Sequence, residues 1–208
     1  MPLVRKPKEL ASTSNPEGFG ALTALESANP DERWAAARVA AGVVGGVDAL
    51  ASALRTENDP RVREAMFTSL ASIGTTESAQ QLLPLLRSDA TQLRTGALDA
   101  LRMMPAAVRE MLPVLLNDHD QDVRILSCEL ARILPSDEAT KLLCAVLAGE
   151  QQINVCAAAI EVLAEVGSPA ALPFLVECGQ RFRGAPFLGF AIGIATERIK
   201  TQSASPRG

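Results

Sequence analysis

Four stretches of the chain repeat one template at almost constant spacing. Val62-Arg63 is followed by Ala65, Leu70, Ile73 and Gly74; Leu93-Arg94 by Leu98, Leu101, Met104 and Pro105; Val123-Arg124 by Leu126, Leu130 and Leu134-Pro135; and Val155-Cys156 by Ala158, Leu163, Val166 and Gly167. The anchors Val62, Leu93, Val123 and Val155 stand 31, 30 and 32 residues apart. A period of this length marks a supersecondary unit that cannot bury its apolar face alone and must stack on copies of itself. Upstream, Asp31 to Ala37 leading to Val44-Gly45-Gly46 reads as the same unit, with a one-residue ambiguity before its glycines. Downstream, Pro186 to Ile199 reads as a terminal half unit.

Within each unit the apolar spacing is close to i, i+3, i+8 and i+11, one buried face of a helix. Gly74, Pro105, Pro135 or Gly167 then stops it: Gly takes a left-handed C-terminal cap and Pro cannot continue the helix. Second helices are expected over Glu77–Arg87, Ala106–Leu116, Asp137–Leu147 and Pro169–Cys178, with Pro84, Pro113 and Pro173 near the middle of three of them as a repeated bend. The unit is a helical hairpin, and about five hairpins with terminal half units predict an all-α, right-handed α-solenoid. The repeat domain is expected over 17–199, between flexible tails at 1–16 and 200–208.

Composition agrees. Hydrophobic residues are 48% of the chain, yet there are six Phe, one Trp and no Tyr, so an all-β reading is nearly excluded. Ala35-Ala36-Ala37 and Ala157-Ala158-Ala159 suit close approach of helix axes. A net charge of −4 argues against a nucleic-acid partner. The four cysteines, Cys128, Cys144, Cys156 and Cys178, form no C-x-x-C pair and read as buried free thiols of a reducing compartment. No apolar h-region follows the basic N-terminal residues, and the longest apolar run, Pro186–Ala195, is too short to span a membrane, so no membrane association and a cytoplasmic setting are expected.

The pattern Asp-Pro-Arg-Val-Arg at 59–63, with Ala65, Leu70, Ile73-Gly74, Ala79 and Leu82-Leu83-Pro84-Leu85-Leu86, resembles HEAT-like repeats of the phycobilisome-lyase type. The resemblance covers Asn29 to Val176 well and Gly179 to Ile199 more loosely, and is similar to short stand-alone bacterial members. Such repeats serve as adaptors, lyase subunits, hydroxylases and nucleic-acid enzymes, so fold alone does not select a function. HEAT-like hydroxylases need repeated His-Glu iron motifs, and this chain has only His119. HEAT-like glycosylases need a basic, aromatic surface, which an acidic chain with one Trp does not offer. For a chromophore lyase no residue forms a motif that carries across.

The resemblance implies that the Val-Arg helix lines the concave face and the proline-bearing helix the convex one. Residues between the core positions of the inner helix then project outward: Arg61, Glu64, Thr68 and Ser72; Gln92, Thr95, Asp99 and Met103; Asp122, Ile125, Glu129 and Ile133; Asn154, Ala157, Glu161 and Glu165. Asp99, Glu129 and Glu161 share one template place, with Glu64 a turn earlier in its own unit, which predicts an acidic stripe for a basic partner segment or, alternatively, an ordinary solvated face. Trp34 and Arg38, one turn apart, form the strongest anchor candidate, unless Trp34 packs under the N-terminal half unit.

Arg33, Arg63, Arg94 and Arg124 recur at one place and read as structural ties to Asp31, Asp59, Asp89 and Asp120 just upstream, rather than as a phosphate reader. The series ends in Cys156. His119 between Asp118 and Asp120 reads as part of a capping turn, not a metal site, and Cys128 as a core thiol, not a nucleophile. Phe182, Phe187 and Phe190 gather in the C-terminal half unit, to close the core or to form a weak dimer patch. The expected function is a non-enzymatic scaffold or adaptor that binds a protein on the concave face, with no cofactor, metal or catalytic residue. A chromophore-lyase-like enzyme or subunit and a self-associating structural protein are the alternatives.

Overall fold

The computed structural model describes residues 20 and 22–204; the expected tail 1–16 lies outside the described residues. Among those residues the chain is helical, with no strand, and divides into two compact units that meet between Ser69 and Leu70 in sequence.

The first unit holds α1 (Pro30–Ala40), α2 (Gly46–Leu54) and most of α3 (Pro60–Ile73), in which the boundary falls. Asn29 caps α1 by accepting from Asp31 N, and Asp59 Oδ1 accepts from Arg61 N at 2.9 Å and Val62 N at 3.1 Å at the start of α3. The turn between α1 and α2 needs glycine twice. Gly45 has φ of 80°, and a Cβ on Gly46 would meet Ala40 O at 1.9 Å. Ala36, Ala37, Ala40, Leu50, Leu54, Val62, Met66 and Phe67 are buried in this unit.

The second unit continues with α4 (Thr76–Leu82) and its 3₁₀ extension Leu83–Arg87, then α5 (Thr91–Arg102), α6 (Pro105–Leu115) and α7 (Gln121–Leu130) with a 3₁₀ turn over Ala131–Ile133. It ends with α8 (Ser136–Gly149), α9 (Ile153–Val166), a 3₁₀ turn Pro169–Ala171, α10 (Leu172–Arg181) and α11 (Pro186–Ala204). First helices stack on first helices, α5 on α7, α7 on α9 and α9 on α11; second helices do likewise, α4 on α6 and α8 on α10. This is the stacking of an α-solenoid, and it makes one shared core of Leu101, Leu112, Val123, Leu130, Leu143, Val155, Ile160 and Leu175.

Several local expectations change. Pro84 falls where α4 tightens to 3₁₀, Pro113 lies inside α6, and Pro173 opens α10 instead of bending its middle. Gly74 takes the left-handed conformation expected of a helix stop, with φ of 66°. Gly167 does not: it is extended at φ −69° and ψ 155°, and glycine is required because a Cβ would meet Leu163 O at 2.4 Å. Template positions Ile73, Leu93, Leu126 and Val166 are half-buried, not core. The last helix continues past Ile199 to Ala204, beyond the expected end of the repeat domain.

Candidate functional site

The repeated arginines build the connections between helices. In each unit the residue after the anchor donates to the backbone carbonyl six residues earlier: Arg33 Nη1 to Ser27 O at 2.8 Å, Arg63 to Glu57 O at 3.1 Å, Arg94 to Ser88 O at 2.6 Å and Arg124 to Asp118 O at 2.8 Å. Cys156 Sγ keeps the same relation to Glu150 O at 3.7 Å. The other edge of the guanidinium reaches forward to the next loop. Arg33 grips Glu57 at 2.7 and 2.9 Å, and Arg124 grips Glu150 at 2.7 and 3.3 Å. For Arg33 and Arg124 these are structural ties, but not to the expected aspartates: Asp31 is paired with Arg61 and Asp120 is occupied as a helix cap, which leaves the loop glutamates as partners. The Arg33 hydrogen bond holds the Glu57 carboxyl below its usual range against the opposing effect of burial. For Glu150 burial pushes upward, and Arg124 together with Gln152 N and Gln151 N outweighs it, so the net shift is down. A cleft in the first unit, lined by Leu22, Leu25, Glu26, Arg33, Ala53 and Glu57, therefore presents Arg33 and Glu57 already paired with each other, with Glu26 beside them.

On the outward face of the first helices, Arg61, Glu64, Thr68, Ser72, Gln92, Thr95, Asp99, Met103, Asp122, Asn154, Glu161 and Glu165 are exposed. Ile125, Glu129, Ile133 and Ala157 are half-buried, so the two isoleucines do not form an open apolar patch. The expected acidic stripe of the second unit is instead a ladder of alternating charge. Asp99 accepts from Arg102 at 2.8 Å, Arg102 approaches Glu129 at 3.6 Å, Glu129 pairs with Arg132, and Arg132 Nε lies 2.8 Å from Glu165. Arg102 and Arg132, absent from the sequence reading, neutralise it. They were visible in principle: each stands three residues after an acidic residue, at the spacing of the repeat. Glu161 is exposed and makes no ion pair among the described residues.

In the first unit three expected residues do come together. Trp34 on α1 is half-buried; the Arg38 guanidinium lies 4.6 Å from its ring centroid and that of Arg61, on α3, 5.8 Å. Two cations against one indole is an electrostatically favourable cation–π arrangement. Arg61 is also paired with Asp31, whereas exposed Arg38 makes no ion pair among the described residues. Val39 beside it is 56% exposed. The patch thus carries an aromatic surface and a positive charge that has no carboxylate partner among the described residues.

Elsewhere, His119 is exposed with Nδ1 3.2 Å from Asp118, and Asp118 and Asp120 accept backbone N–H groups of the turn and helix that follow. No group of three or more His, Cys, Asp or Glu side chains suited to a metal ion is present among the described residues. All four cysteines are free and buried, and burial pushes the Cys128 thiol up to about 12 and that of Cys144 to about 11.

The profile of the HEAT-repeat family matches residues 20–102 and 108–181. The chain belongs to the HEAT-repeat family. Among solved structures, this HEAT-repeat chain is similar to the archaeal HEAT-like repeats protein from Thermococcus onnurineus NA1, at 15% identity over 88% of this chain and 87% of that one, with a TM-score of 0.49. It is also similar to the complex of CpcE and CpcF of phycocyanin lyase from Nostoc sp. PCC7120, at 16% identity over 94% of this chain and 100% of that one, TM-score 0.38. An engineered protein shares 21% identity over 90% of this chain and 98% of its own, TM-score 0.43. None of the curated proteins matches the sequence. Among the described residues no helix is long and apolar enough to cross a membrane.

Proposed function

We propose that this HEAT-repeat protein is a non-enzymatic scaffold that binds a protein partner on its first-helix face, anchored at Trp34. The observation that carries the reading is the stacking of Arg38 and Arg61 on the chain's sole tryptophan at a partly open surface. Tryptophan and arginine dominate interface hot spots because they add large contact area and directional charge at low conformational cost. The charge of the patch also revises the expected partner. Asp99, Glu129 and Glu165 are already paired with arginines, so a basic segment gains little there, while Arg38 has no carboxylate partner among the described residues. A segment that sets an apolar side chain on Trp34 and a carboxylate against Arg38 fits better.

Selection from a displayed random-peptide library, followed by titration through Trp34 fluorescence, tests this. Acidic residues beside an apolar position are expected among the selected peptides, with binding weakened at least tenfold by Arg38→Glu. Peptides that are uniformly basic, or that bind a Trp34→Ala variant as tightly when measured by calorimetry, would overturn it.

A second reading, self-association, is favoured by one observation: Phe187, Phe190 and Ile194 on α11 are 54%, 73% and 41% exposed and lie along one helix face. Light scattering across concentration, with Phe190→Glu as control, distinguishes a concentration-dependent dimer from a monomer.

A further inference from the structure

The side of each first helix that meets the next unit carries apolar residues five and eight places after the anchor: Leu98 and Leu101, Cys128 and Ala131, Ile160 and Leu163, all buried. Cys128 shows the direction, since its Sγ lies 4.0 Å from Val155 O on the helix stacked next to it. In α11 the same pattern starts at the fully buried Leu188, 33 residues after Val155, and the fifth and eighth places hold Gly193 and Thr196. Gly189, one turn before Gly193, stands where the other units have arginine or Cys156. Both glycines are exposed, with nothing within 4 Å of a Cβ and no left-handed φ, so neither packing nor backbone conformation within this chain calls for them. Glycine inside a 19-residue helix weakens it, and what it permits is close approach by another backbone. The face around them is open: Gly189, Phe190, Gly193 and Glu197 recur at helical spacing along one line, with Phe187 and Ile194 at its edge, and all are exposed.

We propose that this face pairs with its own copy: α11 packs antiparallel on α11 of a second chain, about a two-fold axis beside Phe190, with each Phe190 ring seated against the partner's Gly189 and Gly193. The inference rests on the self-association reading above and adds its surface and register. The order of residues along the face singles out a second copy. A two-fold interface is self-complementary, each position meeting the one at equal distance beyond the axis. Counted from Phe190, Phe187 lies three residues before and Ile194 four after, so reversal sets apolar on apolar. Arg183 lies seven before, in the turn ahead of the helix, and Glu197 seven after; both are exposed, and neither makes an ion pair among the described residues. Antiparallel pairing sets each Arg183 against the partner's Glu197, whereas parallel pairing would set like charges together. Arg198, the next residue, is turned about 100° away from that line. One helix face from each chain buries on the order of 1,000 Å² in total, the size of a weak, reversible contact.

Sedimentation velocity of the full-length chain between about 1 and about 300 μM should show a reversible monomer–dimer equilibrium. Glu197→Lys and Arg183→Glu, each setting like charges together twice per dimer, should weaken it at least about tenfold, and the double variant should return to within about threefold of the wild type. Glu161→Lys, on α9, makes the same change in net charge as Glu197→Lys away from this face and should leave the equilibrium as it is. Gly193→Leu should fill the notch and weaken dimerisation at least about tenfold while raising the thermal midpoint at the lowest concentration, which a misfolded variant would not do. A monomer at every concentration overturns the self-association reading and the pairing with it. A dimer indifferent to Glu197→Lys and Gly193→Leu leaves self-association standing and overturns α11 as its surface. A double variant that folds by circular dichroism yet dimerises as weakly as the single ones overturns the antiparallel register.

Discussion

Replacing Arg124 by Ala should cost far more stability than its place among many arginines suggests. The side chain of Arg124 is 14% exposed and that of Glu150 10%, so the pair is little screened by water. The substitution removes the 2.7 Å bond to Glu150, the 2.8 Å bond to Asp118 O and two weaker ones at 3.3 Å. Two good charge-assisted hydrogen bonds contribute about 1.5–3 kcal/mol each. Glu150 is not orphaned, since Gln151 N and Gln152 N still donate to it at 2.9 and 2.8 Å, and this lowers the net loss to about 2–4 kcal/mol. Arg61→Ala is the internal contrast: it breaks the pair with Asp31, whose side chains are 57% and 77% exposed, and should cost no more than about 1 kcal/mol.

Urea unfolding followed by far-UV circular dichroism measures both, and a double-mutant cycle of Arg124→Ala with Glu150→Gln should return a coupling of about 1–3 kcal/mol. Arg124→Lys should recover less than half of the loss, because an ammonium cannot span the carboxylate and the carbonyl together. The pH dependence has a definite sign. Arg124 and the backbone donors hold the Glu150 carboxyl below its usual range, so the stabilisation is complete above an unfolded-state value of about 4.3 and disappears as pH falls through the lower folded value. The difference between wild type and Arg124→Ala should therefore be full at neutral pH and shrink in acid. Equal losses for Arg124→Ala and Arg61→Ala, or a coupling of zero, would refute this assignment of the ladder.

Two further outcomes follow from side chains the fold leaves room for or does not. Gly167→Ala should destabilise by about 1–3 kcal/mol, because its Cβ would stand 2.4 Å from Leu163 O, whereas Gly149→Ala, with nothing within 4 Å, should leave stability unchanged or raise it by up to about 1 kcal/mol; thermal unfolding separates them. Glu129→Lys sets a third cation between Arg102 and Arg132 and should cost about 1 kcal/mol, while Glu161→Lys, off the ladder, should stay within about 0.5 kcal/mol, both read by urea titration.

The repeat was legible because its signals are local. Helical spacing, a glycine or proline stop and a capping residue all act within one turn of where they stand, so the hairpins and the stops at Gly74, Pro105 and Pro135 are legible directly, and the outward face except at Ile125, Glu129, Ile133 and Ala157. Partners at a distance were not. Arg33 and Arg124 find Glu57 and Glu150 24 and 26 residues away in loops that the template does not describe, while the nearer aspartates are engaged elsewhere, Asp31 with Arg61 and Asp120 at a helix N-terminus. The acidic stripe failed for a related reason. The template marks apolar and acidic positions, and Arg102 and Arg132, at helix ends, lie outside both. The contact of Arg61 with Trp34 spans two helices, so sequence could place each on the outward face but not stack one on the other.

Arginine therefore has three separate uses in this acidic chain, and the separation bears on how binding must be tested. Arg33, Arg63, Arg94 and Arg124 donate to loop carbonyls, Arg33 and Arg124 also to glutamates, and Arg102 and Arg132 cancel the acids around them. Arg38 lies on an aromatic surface with no carboxylate partner among the described residues. A carboxylate brought to Arg38 is attracted over a few ångströms but repelled at long range by a protein of net charge −4. Added salt screens both, and with a Debye length of about 10 Å at 0.1 M it removes the repulsion at least as effectively as the attraction. A flat salt dependence would then be compatible with an essential Arg38. Charge reversal at that one residue changes the local term by two charges and the net charge by the same small amount, so it isolates the contact that ionic strength cannot.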